Sequence, residues 1–338
     1  MPIHFGTDGW RAVISDTFTF HNLRLVSQAI ADAVRSERWN TGVPLPENAD
    51  PQKMVVGFDT RFLSDRYAAD VARVLAANGF TVYLAQSDAP TPAISFSVRH
   101  LGAIGGVMIT ASHNAPRYNG VKLKAAYGCS ALPEQCRHVE VYLNDNEQRG
   151  RGPNQMDFDQ ARQAGLIQRF NPLPAYYDHL RKLINFDLIA ENPQRVVVDS
   201  MFGSGRGVIK GILQGTGCEV QEIRGELNPG FGGVHPEPIG RYLGALASAI
   251  SSGMGDLGLA TDGDGDRTGA MDTLEVRIEV AEEMFSDMMS DMVAFTRRVS
   301  DRIHSVVGLH AKVTLVEPGT IERTAGKARH VVDNRPSE

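Results

Sequence analysis

The chain has 338 residues, of which 42% are hydrophobic and 7% aromatic, so it is long enough to bury two or three modest cores. Its formal net charge is −6 with no basic stripe, which argues against nucleic acid as a main partner. Three scattered cysteines (Cys129, Cys136, Cys218), odd in number and without C-x-x-C spacing, suit free thiols in a reducing cytoplasm rather than a disulfide frame.

The amino terminus lacks a basic-then-apolar leader, and no apolar run approaches about 18 residues, so a soluble cytosolic chain without membrane contact is expected. Phe5-Gly6-Thr7-Asp8-Gly9-Trp10-Arg11 reads as a tight bend that its glycines permit. Arg11 offers a fork of donors for phosphate oxygens, or else an ion pair with Asp8 or Asp16. Leu23, Val26, Ile30 and Val34 recur at helical spacing, and Gly42 to Pro51 is a polar, proline-rich connection. Met54 to Asp59 predicts a strand, Asp65 to Asn78 a helix and Thr81 to Ala85 a strand. Asp59 and Arg61 follow a strand end, where they either border a site or serve as a cap or ion pair. Thr91-Pro92-Ala93 opens another helix, with Pro in its first turn.

Gly105-Gly106-Val107-Met108-Ile109 then predicts a short buried strand that empties into the polar elbow Thr110-Ala111-Ser112-His113-Asn114. Ser112 sits there with His113, Asn114 and Lys122, a hydroxyl suited to nucleophilic work beside a lysine able to handle its proton. The same residues also make ordinary turns. Arg137 to Gln163 is polar and aperiodic, a helix followed by a surface connection. Phe170 to Phe186, including Asn171-Pro172, predicts a helix leading into a second domain. Arg195 to Asp199 is an apolar strand, and Gly203-Ser204-Gly205-Arg206-Gly207 turns it into a helix. Val208 stands where a G-x-G-x-x-G fingerprint needs its third glycine, so tight helix–sheet packing is expected instead of dinucleotide binding. Cys218 to Ile223 and Asp256 to Ala260 predict strands, and His235 in the Pro229 to Pro238 loop reads as a solvated turn residue. Strands alternating with helices imply mostly parallel sheets with sites at strand carboxyl ends.

Ala260-Thr261-Asp262-Gly263-Asp264-Gly265-Asp266-Arg267 sets three carboxylates at alternate positions with glycines between them. Such a loop can aim several hard oxygens at one point, which suits Mg²⁺; an acidic surface turn is the plainer alternative. An EF-hand counted from Asp262 fails, because its sixth position is Arg267 and its twelfth is Thr273. Beyond it, Leu274 to Val280 predicts a strand, Met284 to Val307 a helix packed through Met288, Met289 and Met292, and Ala311 to Val316 a strand.

The opening Phe5–Arg11 turn, the Ser112 elbow and the Asp262/Asp264/Asp266 loop together resemble the phosphohexomutase family, the phosphoglucomutases and phosphomannomutases, from Met1 to about Asp272. The resemblance implies an α/β fold with two phosphohexomutase-type α/β/α domains, at 1–165 and 166–272, carrying mixed, mostly parallel sheets. A small α+β domain at 273–338 would follow. It implies a phosphoserine at Ser112 that hands its phosphoryl group to a glucose or mannose phosphate. The bisphosphorylated sugar then reorients and returns its other phosphate, with a hexose 1,6-bisphosphate as activator. Ser112, Asp262, Asp264 and Asp266 would hold Mg²⁺, and Arg11 and Arg267 would contact phosphate. Lys122 would be the general acid/base, with Lys124 as its rival, and His113 would orient the phosphoserine. Ala115 stands where the family repeats proline. Trp10-Arg11-Ala12 leans toward glucose or mannose phosphate over glucosamine phosphate. The family's sugar-reading and distal-phosphate domains find no counterpart here, so an impaired phosphotransferase is expected, with a non-catalytic phosphosugar- or metal-binding remnant as the alternative. Glu317 to Arg329 instead resembles the small terminal domain of the adenylate-forming phenylacetate–CoA ligases, with Lys327 at the position of the lysine that approaches an acyl-adenylate. The large ATP-binding domain of those ligases is missing, which leaves a ligase fragment as the least favoured reading. Oligomeric state is not legible.

Overall fold

The computed structural model describes residues 3–6, 9–40, 45–272, 274–279, 295–300, 302, 311–316, 323–324 and 327–328. In chain order, the first part runs β1 (Trp10–Val13), α1 (Phe20–Arg35), β2 (Asp50–Phe58), α2 (Ser64–Ala77), β3 (Thr81–Ala85), α3 (Thr91–His100), β4 (Ala103–Ile109), β5 (Tyr118–Ala125), α4 (Pro133–Gln148), α5 (Phe158–Gln163) and β6 (Ile167–Phe170). These strands form a six-stranded sheet in the order β1-β5-β4-β2-β3-β6. β4, β2, β3 and β6 run parallel, while β5 returns antiparallel to β4 and β1 antiparallel to β5.

The sheet is central because its strands are apolar on both faces: every residue of β4 is buried, as parallel strands covered on both sides require. α1 starts where the Thr19 hydroxyl accepts a hydrogen bond from Asn22 N, and it buries Leu23, Val26, Ile30 and Val34 as its periodicity predicts. Trp10, Phe18 and Tyr67 stack into the same core, with successive ring centroids 4.8 and 4.9 Å apart.

The second part runs α6 (Leu173–Leu180), α7 (Phe186–Glu191), β7 (Arg195–Asp199), α8 (Val208–Ile212), β8 (Glu219–Ile223), α9 (Gly244–Ser251), β9 (Leu257–Thr261) and β10 (Thr268–Asp272). Its sheet has the order β10-β9-β7-β8, parallel except for β10, which folds back antiparallel on β9. A smaller core of Val197, Met201, Leu243, Leu246, Ile250 and Ala260 packs beneath it. Further on, β11 (Leu274–Glu279) pairs in parallel with β12 (Ala311–Val316), and β13 (Arg323–Thr324) pairs with β14 (Lys327–Ala328).

Several expectations are corrected. Phe170 to Phe186 is not one helix: Ile167–Phe170 is a strand paired with β3, on the far side of the expected break at 165, and two short helices follow. The cause is local: Asn171 Oδ1 accepts from Leu173 N in a turn ahead of α6, whose cap position is Pro172, and Asn185 caps α7 by accepting from Leu188 N. The Gly42–Pro51 connection is shorter than expected, because β2 already begins at Asp50; residues 41–44 lie outside the described residues. The long helix expected from Met284 to Val307 falls mostly outside them too, although 295–300 is helical. Among the described residues, no helix is long and apolar enough to cross a membrane.

Candidate active site

The carboxyl ends of β2, β4 and β9 converge, as parallel strands place them, and each delivers one part of the site. β4 ends in Thr110-Ala111-Ser112. Ser112 is fully buried and sits at φ 54°, the left-handed region that a side chain disfavours, so something must hold it there. Two groups from the end of β2 do so. Asp59 accepts from Thr110 Oγ1 at 2.6 Å, and Thr110 Oγ1 in turn accepts from Ser112 N at 2.8 Å. Arg61 is also buried, and all five N–H donors of its guanidinium have acceptors. Nε reaches Asp59 Oδ2 at 3.1 Å, Nη1 the carbonyls of Ala115 and Tyr118, and Nη2 those of Ser112 and Asn114. Four carbonyls of the elbow thus hang from one planar cation. Burial pushes the Asp59 carboxyl up to about 6 despite the opposing pull of Arg61. Phe231 closes the far side of the cation, its ring centroid 5.0 Å from the guanidinium carbon.

β9 and β10 form a hairpin whose tip is the aspartate loop. Gly263 of this loop is required by proximity, since a Cβ on it would stand 2.5 Å from Ser112 O, and so is Gly203 of the facing turn, whose Cβ would stand 2.7 Å from Asp262 O. The Gly203–Gly207 turn, expected to serve helix–sheet packing, therefore backs directly onto the loop. Across this seam Ser112 Oγ donates to Asp262 Oδ2 at 2.9 Å. Asp262 Oδ1 accepts from the backbone of Asp266 and Arg267, which fixes the loop's curl. Asp264 Oδ2 receives Thr91 Oγ1 at 2.7 Å and Lys122 Nζ at 2.9 Å, and Lys122 also reaches Asp266 Oδ2 at 2.8 Å.

Oxygens of Asp262, Asp264 and Asp266 all lie within 4.8 Å of one another. Burial, then the charges of Asp264 and Asp266, push Asp262 up to about 8. Burial acts on Asp264 in the same sense, but the Lys122 ammonium and the hydrogen bonds from Lys122 and Thr91 hold it below its usual range. Lys122 thus reaches two of the three clustered carboxylates, and among the described residues Asp264 Oδ1 is buried without a hydrogen-bond partner. A buried, unpartnered carboxylate oxygen among two other carboxylates fits a hard divalent cation.

The remaining candidates lie around this centre. Lys122 is buried on β5, whereas Lys124, one pleat further along, has its Nζ 3.4 Å from Ser130 Oγ. Arg11 on β1 donates to Asn114 Oδ1 at 3.2 Å. Arg267 is exposed, and its charge, after burial, holds the His113 imidazole below its usual range. His113 borders a cavity of about 400 Å³ with Asn114, Ala115, Arg117, Tyr118, His235 and Glu237. His235, expected as a solvated turn residue, therefore lines the cleft beside Ser112's neighbours. Lys327 lies in β14.

Residues 2–150 match the α/β/α domain I of phosphoglucomutase/phosphomannomutase, and residues 174–275 match domain II of the same proteins. By these two domains the chain belongs to the phosphoglucomutase/phosphomannomutase family. Residues 265–335 match the AMP-binding enzyme C-terminal domain. The two assignments overlap at 265–275, and there the strand pairing favours the mutase domain, because Thr268–Asp272 hydrogen-bonds to β9 along its whole length.

Similar proteins include a phosphoglucomutase of Staphylococcus saprophyticus, 30% identical over 285 residues that make up 79% of this chain and 48% of the relative. A phosphoglucosamine/phosphogalactosamine mutase of Sulfurisphaera tokodaii is 28% identical over 78% of this chain and 53% of its own length. The phosphomannomutase/phosphoglucomutase of Pseudomonas aeruginosa is 29% identical over 77% and 50%. The chain thus spans about half the length of these relatives. Among solved structures, a phosphomannomutase of Thermus thermophilus superposes with a TM-score of 0.68 at 29% identity, covering 94% of this phosphohexomutase chain and 70% of that one. The Paramecium phosphoglucomutase parafusin shares the fold at a TM-score of 0.65 and 20% identity, over 92% and 62%.

Proposed function

We propose that this phosphohexomutase chain carries the phosphoryl-transfer centre of a hexose-phosphate mutase, with Ser112 as the group that is phosphorylated. The observation that carries the reading is the hydrogen bond from Ser112 Oγ to Asp262, which sets the hydroxyl against three clustered carboxylates and a buried lysine. Asp262, Asp264, Asp266 and the Ser112 phosphate would hold Mg²⁺, whose charge would offset that of the phosphoryl oxygens.

The chain's own residues do the rest. Asp59, Arg61 and Thr110 hold the elbow so that Oγ points across the seam. In the transfer, the bond between Ser112 Oγ and phosphorus breaks while a bond from phosphorus to the sugar hydroxyl forms. Lys122, paired with Asp264 and Asp266, would take up the proton which that hydroxyl releases only after giving up its own ammonium proton, and would return it in the reverse transfer. His113, which lines the cleft, Arg11, which donates to its lining residue Asn114, and Arg267, whose charge acts on His113, would supply donors for the phosphate oxygens, the two arginines with positive charge. A hexose 1,6-bisphosphate would charge Ser112, and glucose and mannose phosphates are the substrates we favour over amino-sugar phosphates. The three cysteines are free thiols, in keeping with a reducing cytoplasm.

The test is incubation of the full chain with glucose 1,6-bisphosphate and Mg²⁺, then mass spectrometry of the peptide bearing Ser112. Phosphate on Ser112, absent from Ser112→Ala, is the expected result, and interconversion of hexose 1- and 6-phosphates would extend it to full turnover. Phosphate without interconversion assigns the chain a half-reaction only. Failure of Ser112 to take any phosphate sinks the reading.

A further inference from the structure

Thr91 opens α3 but does not cap it. The preceding Pro90 stands at the cap position, and no side chain closes the helix start. The Thr91 hydroxyl instead crosses to the aspartate loop and donates to Asp264 Oδ2 at 2.7 Å, while Thr91 N donates to Asp264 O at 2.8 Å. One residue of the first sheet's helices therefore grips both the side chain and the backbone of a residue in the second sheet's hairpin. Lys122 on β5 adds a third contact, again to Oδ2. The backbone of Asp264 thus belongs to one domain, whereas both of these side-chain partners belong to the other.

This arrangement decides which oxygen is left over. With Oδ2 held by two donors, the carboxylate is fixed in orientation: Oδ1 is buried with no hydrogen-bond partner among the described residues, on a side chain that has an oxygen within 4.8 Å of oxygens of Asp262 and Asp266. The positive end of α3, a helix of 10 residues, also faces the loop. Donors that lock a ligand's second oxygen fix its orientation and commonly change cation affinity by about 10- to 100-fold.

We infer that Thr91 is a positioning residue for the aspartate loop, and that cation binding and docking of the two sheets are linked through the Thr91–Asp264 pair. The inference rests on the proposed cation-binding role of that loop. Linkage is reciprocal: whatever orients Asp264 for the cation is in turn stabilised by the cation. A bound divalent ion should therefore tighten the seam that Thr91 and Thr60, which donates to Phe202 O at 2.9 Å, form with the second domain.

The experiment is Mg²⁺ titration calorimetry on the full chain without sugar, comparing wild type, Thr91→Val and Thr91→Ser. Valine keeps the shape and the backbone bond but loses the hydroxyl; serine keeps the hydroxyl. The expected result is a Kd at least about 10-fold weaker for Thr91→Val and within about threefold of wild type for Thr91→Ser. Hydrogen exchange in peptides covering 88–94 and 200–206 should slow on Mg²⁺ addition in wild type and much less in Thr91→Val. Should the valine variant not fold, Thr91→Ala removes the same donor and is held to the same threshold. Equal affinity of wild type and the hydroxyl-free variant, or a serine variant as weak as valine, overturns the inference alone. A wild type that binds neither Mg²⁺ nor Mn²⁺ overturns the cation site and the inference with it.

Discussion

Ser112 and Asp262 stand 150 positions apart in the chain and share a hydrogen bond of 2.9 Å, the serine donating. The bond exists because Ser112 holds a φ of 54°, which turns its side chain away from its own strand and across the seam. For a residue with a Cβ that backbone costs about 1–2 kcal/mol, and glycine's larger unfolded-state freedom offsets part of any relief. Ser112→Gly should therefore be more stable than Ser112→Ala, by up to about 1 kcal/mol in urea denaturation, while neither accepts phosphate from hexose bisphosphate. An alanine variant at least as stable as the glycine variant would show that the left-handed turn is not under strain.

Arg61 is the support whose loss should be felt most. Arg61→Met leaves Asp59 buried without its cation and strips donors from four carbonyls, and breaking a buried pair in this way costs about 3–5 kcal/mol. Arg61→Lys keeps the charge but loses the planar fork, so it should fold better yet still slow phosphorylation of Ser112. Equilibrium unfolding and timed mass spectrometry separate the two effects; a lysine variant labelled at the wild-type rate would remove Arg61 from the positioning of the elbow.

Asp59 gives a pH signature with a definite sign. Its folded pKa, about 6, lies above the unfolded value of 3.8, so its contribution to stability is fully present below about 3.8 and is lost as pH rises through about 6. Asp59→Asn cannot titrate. The stability gap between wild type and Asp59→Asn should therefore narrow as pH rises from about 4 to 7, by at most about 3 kcal/mol. A gap that widens over this range would contradict the assignment of burial as the dominant influence on Asp59.

Lys122→Met tests the balance of charge at the aspartate loop. Without the ammonium, Asp264 and Asp266 face Asp262 uncompensated, so the cation-free protein should lose about 3–5 kcal/mol. Saturating Mg²⁺ should restore part of that loss, and more of it than Mg²⁺ adds to wild type. Thermal unfolding with and without Mg²⁺ measures both; an identical Mg²⁺ shift in the two proteins would show that the lysine and the cation do not share the same carboxylates.

Both halves of the centre are legible in the sequence because each is local. An apolar strand emptying into Ser112 and three aspartates alternating with glycines are short-range patterns, and α1 shows its buried face at plain helical spacing. The links between the halves are not local, and that is why they escape. Asp59-x-Arg61 reads as a neighbourly ion pair, which it is, but the reach of Arg61 to four carbonyls depends on how the elbow folds over it. Thr91 reads as a helix start, and nothing nearby in sequence announces its partner 173 residues away. β5 goes unrecognised because its lysines are buried: Lys122 lies among apolar neighbours only because the aspartate loop supplies its counter-charge. Phe170 reads as the beginning of a helix until it is seen as the last residue of a strand paired with β3.

β10 occupies the rim of the second sheet, bonded to β9, and the aspartate loop is the turn that joins these two strands. Among the described residues the chain therefore departs from a margin and not from an interior strand, so a segment that matches a different family can follow Asp272 without any rebuilding of the carboxylates behind it. What that junction must preserve is the antiparallel register of Thr268–Asp272, since slippage there would drag on Arg267, whose backbone is tied to both ends of Asp262. The vulnerable point of the molecule, on this view, is five residues of border strand and not the sequence that comes after them.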